Sequence, residues 1–151
     1  MITNKRIEKY SLVAASQQAV WEKWTSELGI QSFFAAQCKV ELAINGAFEL
    51  YFLPDAPEGQ RGSEGCTFIS YLPYQMLSFS WNAPPTYPSI RNNAHKTWVV
   101  LQFKYIDETK TLVCLSHLGW LKGEEWDKVY AYFDRAWEQV LHNLQQSFSH
   151  N

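Results

Sequence analysis

The C-terminal segment carries a long apolar stripe, and this stripe constrains the fold more than any other feature of the sequence. Its members recur at spacings of 3, 1, 3, 4, 3, 1, 3 and 4, which are those of one helix face: Trp126, Val129, Tyr130, Phe133, Trp137, Val140, Leu141, Leu144 and Phe148. The pattern predicts a helix over about 124–147, about 36 Å long at 1.5 Å per residue. A helix of this length needs a wide, flat surface to cover its stripe.

The preceding residues are expected to supply that surface as a series of strands. Strand patterns occur at 6–13, 37–44, 47–53, 64–72, 75–82, 95–106 and 110–119. Two short helices follow the first strand: Ser16 is a candidate N-cap for one, and the other covers about 27–34. Asn45-Gly46 predicts a type I′ hairpin turn, because both residues tolerate positive φ. We therefore expect a single α+β domain over 1–151, with a curved antiparallel sheet of about six to seven strands wrapped around the long helix, a helix-grip fold.

Composition excludes several classes of protein. The net charge of −2, from 13 basic and 15 acidic residues, gives no general attraction to nucleic acid or to an anionic membrane. No apolar run reaches the roughly 18 residues of a membrane span, and no secretory signal is recognised, so a cytoplasmic, soluble protein is expected. The three cysteines lack the spacing of a metal site and are expected to be reduced core thiols: Cys38, Cys66 and Cys114.

Aromatic residues make up 16% of the chain. Rings of this number either fill the core or line a cavity, and ligand pockets are mostly apolar. Both interpretations stay open for each ring. The candidate lining of a cavity between the sheet and the C-terminal helix consists of Trp24, Phe33, Phe48, Leu50, Phe52, Phe79, Trp81, Tyr130, Phe133 and Trp137.

Strand alternation adds a few polar candidates. His95 and Thr97 share the apolar side of one strand, and His117 shares the apolar side of the next. If all three point inwards, they could hydrogen-bond a ligand head group, or His117 could act as a general base. The alternative is a core histidine whose hydrogen bonds are satisfied. Glu41 and Glu49 fall on the solvated faces, so no acid–base pair of carboxylates emerges.

Two surface features suggest contacts. Trp98 is expected on the outer face of the sheet beside Tyr51 and Val100, where a ring cluster could form an interaction surface or a dimer contact, or the rings could simply be exposed one by one. The loop at 82–94 contains three prolines. A loop of this length could gate a cavity or could be only a long connection.

Four segments carry a resemblance to a known family: 15–25, 45–48, 111–120 and 136–144. They resemble the first helix, the Gly-Gly-x-Phe hairpin, the last strand and the long-helix signature of the START-like (SRPBCC) superfamily. Within it, the chain resembles the proteins related to the C-terminal domain of the activator of the ninety-kilodalton heat-shock chaperone's ATPase. Asn45 and Ala136 stand where this family usually has glycine; both residues are small, and the motifs specify a fold more than a function.

The resemblance implies the helix-grip fold and, commonly, an internal cavity. Three functions stay open. The first is binding of a small hydrophobic or aromatic ligand, lipids included. The second is a chaperone-linked interaction module, tied to stress response, with a chaperone or a second copy as partner. The third is a cyclase-like or hydrolase-like enzyme that uses the same cavity, with His117 as its base. Ligand binding is expected in preference to an enzymatic activity, and no cofactor or metal is expected.

Overall fold

Seven strands and four helices are present in this computed structural model, which describes residues 1–149. In chain order they are β1 (Ile7–Val13), α1 (Gln17–Thr25), α2 (Glu27–Gln31), β2 (Gln37–Val40), β3 (Phe48–Tyr51), β4 (Phe68–Leu72), β5 (Met76–Trp81), α3 (Pro88–Arg91), β6 (Thr97–Asp107), β7 (Lys110–Leu118) and α4 (Glu124–Ser147). The α+β helix-grip prediction is confirmed, and Ser16 caps α1 as expected, with its hydroxyl accepting from the Ala19 amide at 3.2 Å.

The strands divide into two antiparallel sheets. Five form one sheet in the order β1-β7-β6-β5-β4, and β2 and β3 form a separate pair. Backbone hydrogen bonds from Asn45 to Phe68, from Phe68 to Gly46 and from Phe48 to Cys66 join the pair to the edge of β4. A sheet of five strands therefore replaces the expected single sheet of six to seven. The β2–β3 hairpin extends it, because the residues that connect these two strands bond to the edge of β4.

The hairpin turn differs from the type I′ turn predicted for Asn45-Gly46. β2 ends at Val40, so residues 41–47 make a longer connection in which only Asn45 of the two has a positive φ, of 63°. The amide of Gly46 donates to the Ala43 carbonyl at 2.8 Å. A Cβ at Gly46 would collide with the Glu41 carbonyl oxygen. Glycine is needed here for close packing of backbone, not for the mirror-image turn.

Helix α4 lies across the large sheet and buries the predicted stripe. Its buried side chains are Trp126, Val129, Phe133, Trp137, Leu141 and Leu144. Tyr130, Val140 and Phe148 are only partly buried and pack at the border of the core. Acidic residues in the first turn, such as Glu124, stabilise the helix because their negative charges lie at the positive end of its dipole. None of the helices in residues 1–149 combines the length and apolarity that crossing a bilayer requires.

Side chains of α4 also cover the free edge of β1. Gln145 Nε2 donates to the Leu12 carbonyl at 2.9 Å. The Tyr130 hydroxyl donates to the Arg6 carbonyl at 2.9 Å. Burial alone would lower the pKa of Lys9. Its bonds to Glu138 at 2.8 Å and to Asp134 at 3.1 Å outweigh that effect, so the pKa of Lys9 is raised. The helix is therefore fixed to the edge strand by polar contacts as well as to the sheet by its stripe.

Candidate functional site

An aromatic groove opens between α4 and the ends of β3 and β5. It has two compartments that share Phe52, Trp81, Tyr132 and Phe133. The helix-side compartment has a volume of about 300 Å³ and is completed by Phe34, Ala136, Trp137, Gln139 and Val140. The loop-side compartment has a volume of about 220 Å³ and is completed by Leu53, Arg61, Gly62, Ser63, Asn82, Ala83, Pro84 and Pro85.

The rings of the groove are held by contacts with one another. Trp81 is the last residue of β5, and its ring centroid lies 5.4 Å from that of Trp137 on α4. Phe34 follows α2 and lies edge-on to Trp137 at 5.8 Å. The ring of Phe52, just after β3, lies 5.7 Å from Phe34. Aromatic pairs at these distances add to the energy of burial, so the wall is built from mutually supporting side chains.

Two loops form the mouth of the loop-side compartment, and Arg91 ties them together. Arg91 is buried in α3 and donates to the Ala83 carbonyl at 2.6 Å and to the Gly59 carbonyl at 2.7 Å. It also pairs with Glu64 at 3.3 Å. The predicted loop at 82–94 thus contains a helical turn and an anchor, and its Pro84 borders the compartment.

Arg61, Ser63 and Asn82 are the polar side chains of the loop-side compartment, whereas Gln139 lines the helix-side one. Arg61 is placed by its Nε, which donates to the Ala56 carbonyl at 2.9 Å. Asn82 is placed by its Oδ1, which accepts from Lys96 Nζ at 3.2 Å and from the Ala83 amide at 2.9 Å. Burial lowers the pKa of Lys96. Within residues 1–149, the buried Nε1 of Trp81 has no hydrogen-bond partner.

His117 is fully buried, and both of its ring nitrogens are engaged. Trp137 Nε1 can only donate, and it lies 2.9 Å from His117 Nδ1, so Nδ1 is an acceptor. The ring proton is therefore on Nε2, which donates to Thr97 Oγ1 at 2.7 Å. Burial lowers the pKa of His117 from 6.5 to about 3. This geometry does not fit an inward general base. It fits the alternative interpretation, a core histidine whose hydrogen bonds are satisfied.

The other two polar candidates lie beside this network instead of in the groove. His95 precedes β6, and its Nε2 lies 2.6 Å from the Gly119 carbonyl, to which it donates. His95 and Thr97 border a void of about 10 Å³. A void of this size is smaller than a ligand of any kind needs. The structure therefore does not bring His95, Thr97 and His117 together at a ligand-sized space.

The ring and apolar candidates divide between groove and core. Four of them line the two compartments: Phe52, Trp81, Phe133 and Trp137. The others fill the core or its border: Trp24, Phe33, Phe48, Leu50, Phe79 and Tyr130. Phe52 was expected on the buried face of a strand over 47–53, but β3 ends at Tyr51 and Phe52 is 45% exposed. Its exposure places it at the mouth of the groove.

Sequence reasoning missed Phe34, Arg61, Asn82 and Tyr132 as groove residues. Phe34 and Tyr132 stood next to predicted members, Phe33 and Phe133, and the adjacent aromatic pairs were the available signal. Arg61 and Asn82 lie in loops, where no periodic pattern indicates which way a side chain points.

The surface predictions have mixed outcomes. Trp98 and Val100 share the outer face of β6 as expected, both partly buried, but Tyr51 lies in the separate β2–β3 pair and bonds to Glu49 at 2.7 Å. Trp98, Val100 and Tyr51 therefore do not share one sheet face. All three cysteines are free; Cys66 and Cys114 are buried, whereas Cys38 is partly exposed. Burial raises the pKa of Cys66 to about 12.

Comparison with known proteins places this fold among relatives. A family model described as activator of Hsp90 ATPase homolog 1-like protein matches residues 14–149. A protein of Mesorhizobium loti is similar in structure, with a TM-score of 0.75 and 14% identity over 96% of this chain and 97% of that one. The Aha1 dimer from Colwellia psychrerythraea gives 0.70 and 14% over 95% and 96%.

An HSP90 activator from Plasmodium falciparum gives a TM-score of 0.68 and 17% identity over 92% of each chain. The comparison with curated proteins finds no significant match. Identities this low establish a shared fold, and function must be argued from the groove itself.

Proposed function

This chain belongs to the family of activator of Hsp90 ATPase homolog 1-like proteins, and from that premise we propose that it binds a small hydrophobic or aromatic ligand in the groove between its sheets and α4. The observation that carries the proposal is the ring-lined groove itself. Its two compartments adjoin each other and share the lining residues Phe52, Trp81, Tyr132 and Phe133.

The volumes suit a ligand of one or two rings, or a short chain. A dry cavity of about 150 Å³ accommodates benzene. At about 300 Å³, the helix-side compartment has room for a two-ring body. Burial of apolar surface there contributes about 25 cal/mol per Å² before the costs of association.

The side chains of the groove favour binding over catalysis. Among the described residues that line the two compartments there is no histidine, cysteine or carboxylate. His117, the base considered for a cyclase-like or hydrolase-like reaction, lies in the core with both nitrogens bonded. A rigid apolar wall with a few donors at one end is typical of a binding site.

The test fills the helix-side compartment from α4. Ala136 lines this compartment, so Ala136→Trp places an indole where the ligand would lie. Ala131→Trp adds the same side chain on the exposed side of the same helix and is the matched control. The neutral two-ring probe Prodan (6-propionyl-2-dimethylaminonaphthalene) shifts its fluorescence to the blue on entering an apolar site. We expect wild type and Ala131→Trp to bind it equally, and Ala136→Trp to lose at least about tenfold in affinity.

The binding proposal fails if Ala136→Trp, folded by circular dichroism, binds the probe as wild type does. It also fails if wild type gives no saturable binding. Native mass spectrometry of protein purified from its host would show in addition whether a small molecule co-purifies at one per chain.

A second candidate function is contact with the Hsp90 chaperone. The family description and the Plasmodium falciparum HSP90 activator support it, and the Colwellia psychrerythraea dimer supports a homodimer as one form of the protein. The measurement is the ATPase rate of Hsp90 from the same host, with and without the full chain, alongside light scattering of the chain alone. An unchanged rate together with no complex on a sizing column would refute the chaperone contact.

A further inference from the structure

We propose that the ligand of this groove carries a carboxylate, which Arg61 and Asn82 hold in the loop-side compartment while its apolar body lies in the helix-side compartment. The inference rests on the proposed binding function for the body and adds the chemistry of the head group. The carboxylate is inferred from the polar side chains at the mouth, whose unpaired groups are hydrogen-bond donors.

Arg61 is the cation of this compartment, and its backbone and Nε are already fixed. Its amide donates to Glu64 Oε1 at 2.8 Å, its carbonyl accepts from the Leu53 amide at 2.8 Å, and its Nε donates to the Ala56 carbonyl at 2.9 Å. Within the described chain its two Nη atoms have no protein partner. A guanidinium held in this way presents donors in the planar arrangement that a carboxylate matches.

Asn82 presents the donor end of its amide for a similar reason. Its Oδ1 accepts from Lys96 Nζ at 3.2 Å and from the Ala83 amide at 2.9 Å. Lys96 itself is anchored to the Arg91 carbonyl at 2.6 Å. With the oxygen occupied, the NH₂ group is the end left for a ligand, and it can only donate.

Trp81, like Trp24 in the core, has an indole N–H without a partner among residues 1–149. The Trp81 side chain lines both compartments and is 3% exposed. A buried indole N–H without a partner is unfavourable.

The acceptor side chains that follow Arg61 along the chain, Ser63 and Glu64, are already bonded. Ser63 Oγ accepts from the Leu50 amide at 2.8 Å and donates to the Phe48 carbonyl at 3.1 Å. Glu64 accepts from the amides of Gly59, Arg61 and Gly62 and pairs with Arg91. A ligand amine would therefore meet Arg61 with no free carboxylate to compensate it, so the mouth favours an anion and disfavours a cation.

The experiment compares acids with their neutral amides, because the two share one body and differ in charge. The probes are 2-naphthylacetate with 2-naphthylacetamide, and decanoate with decanamide, titrated by calorimetry at pH 7.5 and low salt. Arg61→Gln removes the cation, and Arg135→Gln removes an arginine from the exposed side of α4 as the matched control. Asn82→Asp places a like charge beside the head group and serves as a second variant.

We expect wild type to bind each acid at least about tenfold more tightly than its amide. Arg61→Gln and Asn82→Asp should each weaken acid binding about tenfold and leave amide binding unchanged, while Arg135→Gln should match wild type. Equal affinity of acid and amide for wild type, or an unchanged acid affinity in both variants, overturns the head-group assignment and leaves the binding function standing. If neither member of either pair binds wild type, the binding function and the head-group assignment are both overturned.

Discussion

The buried imidazole of His117 makes the stability of this protein depend on pH in a way that can be calculated. Burial lowers the pKa of His117 in the folded protein from 6.5 to about 3. Below pH 6.5 the unfolded chain gains a proton on this residue that the folded protein does not take up. Folding stability is therefore lost as the pH falls from 6.5 towards 3, by about 1.4 kcal/mol per pH unit.

Between pH 7.5 and pH 5.0 this single group lowers the free energy of unfolding by about 2 kcal/mol. Carboxylates titrate in the same range, but their contribution is common to all variants. The quantity to measure is therefore the difference between variants in the loss from pH 7.5 to pH 5.0. Urea unfolding followed by tryptophan fluorescence gives that loss for wild type, His117→Asn and the control His142→Asn, whose side chain is on the exposed surface of α4.

We expect wild type and His142→Asn to lose about 2 kcal/mol more than His117→Asn, whatever the absolute stability of each variant. Equal losses in wild type and His117→Asn would falsify the assignment of a buried, neutral histidine. A direct check is the ¹H–¹⁵N spectrum of the imidazole. It should show the Nε2–H tautomer at pH 5, because Trp137 donates to Nδ1 at 2.9 Å; a doubly protonated ring at pH 5 would contradict the network.

Two further substitutions test the supports of the groove and of β6. Arg91→Met leaves the carbonyls of Ala83 and Gly59 without their side-chain donor and removes the cation that pairs with Glu64. The free energy of unfolding should therefore fall by about 3 kcal/mol, whereas Arg135→Met should lower it by less than about 0.5 kcal/mol. Equal values in urea titrations would show that the contacts of Arg91 contribute nothing. Gly119→Ala places a Cβ against the ring of Trp98, at a residue whose φ is 88°. Gly65 has a similar φ of 83° but open space around it, so Gly65→Ala costs only the backbone strain of about 1 kcal/mol and is the control. The melting temperature of Gly119→Ala should fall well below that of Gly65→Ala, and similar melting temperatures would mean that Trp98 does not pack on Gly119.

The sequence predicted the architecture because its dominant signals are periodic. The stripe that begins at Trp126 defines a helix over 124–147, and the observed α4 is Glu124–Ser147. Alternation also placed the buried faces of β6 and β7, where Val99, Leu101 and Val113 are inside. These patterns depend only on the spacing of residues along one element, so tertiary contacts do not alter them.

The groove was harder to predict because its shape depends on contacts between distant segments. The mouth is held by Arg91, which reaches Gly59 across 32 positions of the chain. The role of His117 is decided by Trp137, 20 positions away. Strand alternation placed His117 inside and left both a core histidine and a ligand-binding one open; its bonds to Trp137 and Thr97 distinguish them.

The contacts of α4 with β1 bear on the route by which the proposed ligand would enter the groove. An uncovered edge strand offers its carbonyls and amides to a strand of another molecule, which is a common route to intermolecular sheets. Gln145 and Tyr130 occupy two of those carbonyls, at Leu12 and Arg6. A helix that lifted away to admit a ligand would expose this template each time. Entry of the proposed ligand between the loops that carry Gly59 and Pro84 would leave α4 in place. The same helix would then form one wall of the groove and keep the edge of β1 covered.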